Sequence, residues 1–251
     1  MTPIIAHRGN SAEAPENTLA AFRQAIELGA DGVELDVHAS HDGVPVVIHD
    51  SRLERTTDGR GFVRERSARE LAALDAGRWF DAAFAGEGVP TLAAALALLA
   101  PGGLEIHIEL KTADFEYPGL VLAVMAEVMA VGVAGRVVLS SFNHHSLLDA
   151  RAHAPDLPCA ALISGRLIEP WRYVARHGFQ ALHLPYASVD EALVRGCHEA
   201  GLSVRAYTAD EASVAERLMG LGVDGIITKQ PRRLLELRGP WASALPDGSA
   251  P

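Results

Sequence analysis

Short apolar runs alternate with helix-period segments along the whole chain. Strand-like runs fall at IIAHRG (4–9), GVELDVH (32–38), LEIHIELK (104–111), RVVLSSF (136–142), PCAALIS (158–164), ALHLP (181–185), LSVRAYT (202–208) and DGIITK (224–229). In the first intervening segment Leu19, Phe22 and Ile26 share a helical face, and Gly29 is placed to end it. Ser188 with Glu191, and Thr208 with Glu211, have capping-box spacing, and Gly201 and Gly222 can close the helices that follow. Strands alternating with helices in this number favour a closed parallel α/β barrel, with an open doubly wound sheet as the competing topology.

One element breaks the alternation. Asp42-Gly43 separates GVELDVHAS from VPVVIHD, and that dipeptide tolerates the positive φ of a two-residue hairpin turn. The second run is therefore expected to fold back antiparallel, with His41 facing Val44 and Asp36 opposite His49. Residues 52–90 carry few strand signals and predict an excursion from the barrel rim. The segment from Gly239, GPWASALPDGSAP, is rich in Pro, Gly and Ala and is expected to be a disordered tail. The expectation is thus one domain over 1–238, with an insertion at about 52–90.

Composition narrows the partners. At 251 residues, 49% hydrophobic and 22% charged, the chain can bury one large core. A net charge of −10 opposes unspecific binding to nucleic acid or an anionic membrane, so any phosphate must be held locally. The N-terminus lacks a basic segment followed by an apolar run of signal length. TLAAALALLA at 91–100 is far shorter than the roughly 20 residues that cross a bilayer. Cys159 and Cys197 have neither metal-type spacing nor a disulfide pattern. These features predict a cytoplasmic protein without stable membrane association.

Glu34 and Asp36 lie two apart on a strand, so they share a face. Carboxylates about 4 Å apart repel by roughly 4 kcal/mol at an effective dielectric near 20, which calls for a cation. Glu109, at the end of the next barrel strand, can complete a set of three oxygen ligands. Such hard donors favour Mg²⁺ or Ca²⁺ over zinc. The bland alternative pairs these acids with Arg8 or Lys111. His7 and His49 reach the same rim and can exchange protons near neutrality. Arg8 and Lys111 offer phosphate a planar fork and a point charge. Phe142 and Tyr207 either line the pocket or pack in the core. His38 continues the face of Asp36, in contact with substrate or else packed or solvated, and His107 lies deeper as a hydrogen-bonded core residue. Ser141 lacks a nucleophile elbow, and TTDGRG lacks the lysine of a phosphate loop.

AHRGNSAEAPENTLAAFRQAIELGADGVELDVHASHDGVPVVIHDSRLERTTDG resembles the N-terminal signature of the glycerophosphodiester phosphodiesterase family, and IELK, SSF and GVDGIIT resemble later blocks of it. The resemblance runs to about residue 231, densely in the first 60 residues. It implies a TIM (β/α)8 barrel with a hairpin after the second strand, and metal-dependent hydrolysis of a small-molecule glycerophosphodiester to glycerol 3-phosphate and an alcohol. By motif position it implies Glu34, Asp36 and Glu109 as metal ligands, His7 and His49 as acid and base, and Arg8 and Lys111 on phosphate. By similarity to phosphoinositide phospholipases the nucleophile is the glycerol hydroxyl, through a cyclic phosphate; water is the other option. Tyr207 stands where the family often has Trp, Lys229 where an acid is common, and Ser40-His41 where Thr-Lys is usual. A lyase and a non-catalytic binding barrel are the competing classes, and a homodimer is an open assembly state.

Overall fold

Alternation along β2 (Gly32–Ala39) sets the plan of the molecule. Val33, Leu35, Val37 and Ala39 enter the main apolar layer, while Glu34, Asp36 and His38 point the other way and are also buried. A strand covered on both faces belongs in a sheet packed under helices. One whose second face is acidic must also enclose a polar interior.

The computed structural model describes residues 1–239 and realises this arrangement. The strands are β1 (Ile4–His7), β2, β3 (Pro45–Val47), β4 (Glu105–Leu110), β5 (Val137–Ser141), β6 (Cys159–Leu162), β7 (Ala181–Pro185), β8 (Ser203–Tyr207) and β9 (Gly225–Thr228). They run in the order β1-β9-β8-β7-β6-β5-β4-β2-β3, and parallel pairing of β1 with β2 closes the ring. Setting β3 aside, eight parallel strands form a TIM barrel. The helices are α1 (Leu19–Glu27), α2 (Ala68–Ala72), α3 (Leu92–Leu99), α4 (Leu120–Val131), α5 (His144–His153), α6 (Pro170–Arg176), α7 (Glu191–Glu199), α8 (Ala212–Leu221) and α9 (Pro231–Arg238). Phe22 of α1, Leu96 of α3, Val124 of α4 and Leu147 of α5 pack on the outer face of the sheet. Inside the barrel Val138, Ala160 and Ala181 form a small apolar patch, and Leu162 and Ile227 line the cavity above it. Charged and imidazole side chains share the interior with them, among them Glu34, Asp36, Glu109, His107 and His183.

The hairpin forms, but its register differs from expectation by one residue. β2 pairs with β3 at Val37 with Val47, His38 with Val46 and Ala39 with Pro45. Ser40 pairs with Val44, and the loop is His41–Gly43 with Gly43 at φ +76°. A three-residue loop ending in a left-handed glycine adds one residue to the turn. Asp36 therefore opposes Ile48, whose amide donates to the Asp36 carbonyl at 3.0 Å, and His49 lies one step further on. β1 and β3 occupy the same edge of β2, so β3 continues the barrel wall past the point where β1 stops at His7. That placement still brings His49 to the mouth.

Both expected capping boxes are replaced. Asp190 caps α7 by accepting from the Leu193 amide, because Ser188 is taken into a 3-10 turn, and α8 starts from Glu211 without a side-chain cap. Residues 52–90 carry α2 and a second apolar cluster, in which Leu53, Val63 and Leu71 pack on Val46 and Ile48. The tail expected beyond Gly239 lies outside the described residues. No helix among them is long and apolar enough to cross a membrane.

Candidate active site

The chain turns sharply where β1 ends. Arg8 sits at φ +57° and Gly9 at φ +80°, and a Cβ on Gly9 would stand 2.7 Å from the backbone of Ala21 in α1. Only glycine permits that approach. The same crossing lets the Asn17 amide donate to the Arg8 carbonyl at 3.0 Å and brings the PENT segment back over the strand end. Thr18 then caps α1, its hydroxyl oxygen accepting from the Ala21 amide.

Register brings the acids together. His7 lies beside Glu34, and Asp36 beside Glu109, on neighbouring strands. Carboxylate oxygens of the buried Glu34, Asp36 and Glu109 all lie within 4.8 Å of one another. Asp36 Oδ2 accepts from Asn17 Nδ2 at 2.8 Å and faces Arg8 Nε at 3.1 Å. Lys111 Nζ donates to Glu109 Oε1 at 2.7 Å. Asp36 Oδ1 is buried with no hydrogen-bond partner and has Lys111 Nζ at 3.5 Å. The three acids divide their protonation accordingly. Burial opposes ionisation of Asp36, but Arg8 and Lys111 hold it well below the usual carboxylate range. Burial and the Asp36 charge push Glu109 up to about 7, and they raise Glu34 well above its ordinary value.

The two imidazoles flank this trio. His7 Nε2 is 3.8 Å from Glu34 Oε2, and its Nδ1 is buried without a partner. His49 Nδ1 meets Asp50 Oδ1 at 2.6 Å. Burial lowers both pKa values, opposed by the Asp36 charge. His38 is neither solvated nor in the cavity wall. Its ring bridges the Tyr117 hydroxyl at 2.9 Å and the His49 carbonyl at 3.0 Å.

A cavity of about 200 Å³ opens at this end of the barrel, lined by His7, Arg8, Glu34, His49, Glu109, Phe142 and Tyr207 among others. Phe142 and Tyr207 meet edge to face at 6.4 Å, and the Tyr207 hydroxyl donates to the Ile163 carbonyl. Asp36 and Lys111 stand outside the lining, Lys111 against Glu109. All nine residues expected from the sequence therefore converge on one end of the barrel. Sequence reasoning missed Asn17, Glu16, Asp50 and Arg55. Each lies inside a quoted motif, PENT or HDSRLERTT, and that placement was the available signal. His183, ambiguous in the sequence run LHL, is buried in the cavity wall with an unpartnered Nε2.

Chemically, a hard cation fits three converging carboxylates with one unsatisfied oxygen, and neutral imidazoles beside them can accept protons. The Glycerophosphoryl diester phosphodiesterase family matches residues 7–233. A glycerophosphodiester phosphodiesterase of Caldanaerobacter subterraneus is 42% identical over 236 residues, 94% of this chain and 97% of that protein. The Oleispira antarctica phosphodiesterase solved in complex with the product sn-glycerol-3-phosphate superposes with a TM-score of 0.86 at 32% identity, covering 95% of this chain and 97% of that one. The glycerophosphodiester phosphodiesterase of Agrobacterium tumefaciens gives 0.81 at 34%, covering 92% and 98%. Likeness at this identity covers nearly the full length of each partner, and the chain belongs to the glycerophosphoryl diester phosphodiesterase family of phosphoric diester hydrolases.

Proposed function

We propose that this hydrolase cleaves small glycerophosphodiesters to glycerol 3-phosphate and an alcohol, with a divalent cation held by Glu34, Asp36 and Glu109 and proton transfer by His7 and His49. The single observation that carries the reading is the convergence of three buried carboxylates at the mouth of the barrel, two of them lining one cavity with both imidazoles. The product seen in the Oleispira antarctica relative supports the substrate class.

The acidic trio fits Mg²⁺ or Ca²⁺: its donors are all oxygens, one of them is buried without a hydrogen bond, and a cation offsets the burial and the mutual repulsion that raise Glu34 and Glu109. Bound there, the ion supplies positive charge against the phosphoryl oxygens. Arg8 and Lys111 already face Asp36, so their charges are fixed beside the place where negative charge grows. Donation of His49 Nδ1–H to Asp50 leaves Nε2 as the atom that works in the cavity. One imidazole takes the proton of the attacking oxygen as it bonds phosphorus; where that oxygen is a glycerol hydroxyl the first product is a cyclic phosphate, which water then opens to glycerol 3-phosphate. The other delivers a proton to the alcohol oxygen as the phosphorus–oxygen bond to it breaks. Phe142 and Tyr207 give the head group an aromatic wall. Residues 1–238 are read as one catalytic domain that works in the cytoplasm.

The test is turnover of a panel of glycerophosphodiesters with Mg²⁺, Ca²⁺ or chelator, products followed by phosphorus NMR. The expected products are glycerol 3-phosphate and free alcohol, formed only with cation. His7→Ala and His49→Ala are expected to lose about 10² to 10⁴ in turnover with unchanged thermal midpoints. Turnover indifferent to chelator removes the metal; near wild-type rates in either variant remove the acid/base pair.

A further inference from the structure

A chain of alternating charge leads from the floor of the site to the surface. Arg8 Nε faces Asp36 at 3.1 Å, and Arg8 Nη1 donates to Glu16 Oε1 at 2.9 Å. Arg55 donates to both oxygens of Glu16, at 2.9 and 2.8 Å, and to both oxygens of Asp50, at 2.6 and 3.0 Å. Asp50 in turn meets His49 Nδ1 at 2.6 Å. One guanidinium thus joins a carboxylate preceding α1 to a carboxylate following β3.

Arg55 stands on a built turn. The Thr57 amide and hydroxyl both donate to the Leu53 carbonyl, at 3.1 and 2.7 Å, and Leu53 packs in the apolar cluster that contains Val46 and Ile48. The backbone carrying Arg55 is therefore tied to the segment carrying His49. The His49 ring itself is 30% exposed and sits just past a strand end, where nothing in the ladder fixes its rotamer. An imidazole in that position needs a partner on Nδ1 to select its tautomer, and the partner must itself be held. Asp50 alone, half-exposed after the strand, could rotate away. A planar fork engaging both its oxygens prevents that, and a point charge could not.

We infer that Arg55 is a positioning residue of the hydrolase: its two bidentate contacts clamp Asp50 onto His49 and Glu16 onto Arg8, so that the proton-transferring imidazole and the phosphate-side guanidinium are held as one unit. The inference rests on the role proposed for His49. It assigns a function to Glu16 of PENT and to the arginine of RTT, neither of which touches the cavity.

The test combines a kinetic cycle with a spectroscopic one. Wild type, Arg55→Met, Asp50→Asn, His49→Ala and the two doubles with His49→Ala are assayed on a soluble glycerophosphodiester at saturating cation. Asp50→Asn and Arg55→Met are each expected to lower kcat by about 10- to 100-fold, the range for residues that orient a functional imidazole. In the His49→Ala background neither should lower kcat further, because the group they orient is gone. Arg55→Met alone should also raise KM, through Glu16 and Arg8. Arg55→Lys, which keeps the charge and loses the fork, should recover little of the lost kcat. Nitrogen-15 NMR of the His49 ring should show Nδ1 protonated in the wild type and mixed tautomers in Asp50→Asn and Arg55→Met, independently of turnover. Wild-type kcat in Arg55→Met, equal fractional losses in the His49→Ala background, full rescue by Lys, or an unchanged tautomer in both variants overturns the positioning role while leaving the proposed reaction in place. Near wild-type turnover in His49→Ala overturns the role of His49 instead.

Discussion

Glu109 and Asp36 are neighbours on adjacent strands, yet they hold their protons in opposite ways. Asp36 lies against Arg8 and Lys111, whereas Glu109 has burial and the Asp36 charge against it and titrates at about 7. The linkage has a definite sign. An unfolded glutamate loses its proton near 4.5, while the folded one keeps it to about 7, so folding becomes less favourable as pH rises through that window. Glu109→Gln removes the ionisation. In cation-free buffer the thermal midpoint of the variant, relative to the parent, is expected to rise between pH 5 and pH 8. Added Mg²⁺ or Ca²⁺ at pH 8 should stabilise the parent more than the variant. A pH-independent difference would remove the repulsion on which the cation site is argued. The acids were legible because parity alone puts Glu34 and Asp36 on one face. Asn17 and Glu16 were not, since their contacts to Asp36 and Arg8 exist only after the Arg8–Gly9 turn folds PENT back over the strand.

At the scale of elements, two left-handed glycines do different work. Gly43 ends the hairpin loop at φ +76° with nothing within 4 Å of the place a Cβ would occupy. Gly43→Ala should therefore carry the conformational penalty alone, about 1–2 kcal/mol. Gly9 has nearly the same φ, but its added Cβ would collide with the backbone of Ala21. Overpacking adds to the penalty, so Gly9→Ala is expected to lose about 3 kcal/mol or more. It should also disturb Arg8 and lower activity, as Gly43→Ala should not. Chemical denaturation of the two variants checks the order, and equal losses would refute the close approach of β1 and α1. The hairpin also shows where reading stops. Asp-Gly correctly signals a reversal, but the three-residue loop is held by the Ser40 side chain, whose hydroxyl donates to Asp42 Oδ1 inside the loop at 2.6 Å and accepts from the Val44 amide at 3.0 Å. The capping boxes failed for a related reason. Asp190 stands closer to the first turn of α7 than Ser188, and a carboxylate is an equally good cap.

At the scale of the whole molecule, the outer architecture was readable and the barrel interior was not. Eight runs matched eight parallel strands because each carries its own apolar face, and the helices announce theirs by period. Which polar side chains meet across the lumen depends on closure and register, which no local pattern encodes. Arg205 of β8 donates to Glu105 of β4 at 2.8 Å, a hundred residues apart in sequence and on opposite sides of the ring. The stem of Arg205 runs over Gly225, where a Cβ would meet its Cγ at 3.1 Å. His107 Nε2 lies 3.1 Å from the same carboxylate, but burial lowers that imidazole below its ordinary value, so the full charge facing Glu105 is the guanidinium. Although burial opposes it, Glu105 is held down at about 2 by these partners. Its contribution is therefore present above the unfolded value near 4.5 and lost as pH falls toward 2. Arg205→Met keeps the stem and removes the charge. Because Glu105 keeps 32% side-chain exposure, the expected loss at pH 7 is about 1–3 kcal/mol, less than for a fully buried pair. Urea unfolding at pH 7 and pH 4 reads both the loss and its shrinkage on acidification. Unchanged stability of Arg205→Met at pH 7 would mean that the stem, which Met keeps packed over Gly225, stabilises the barrel where the charge does not.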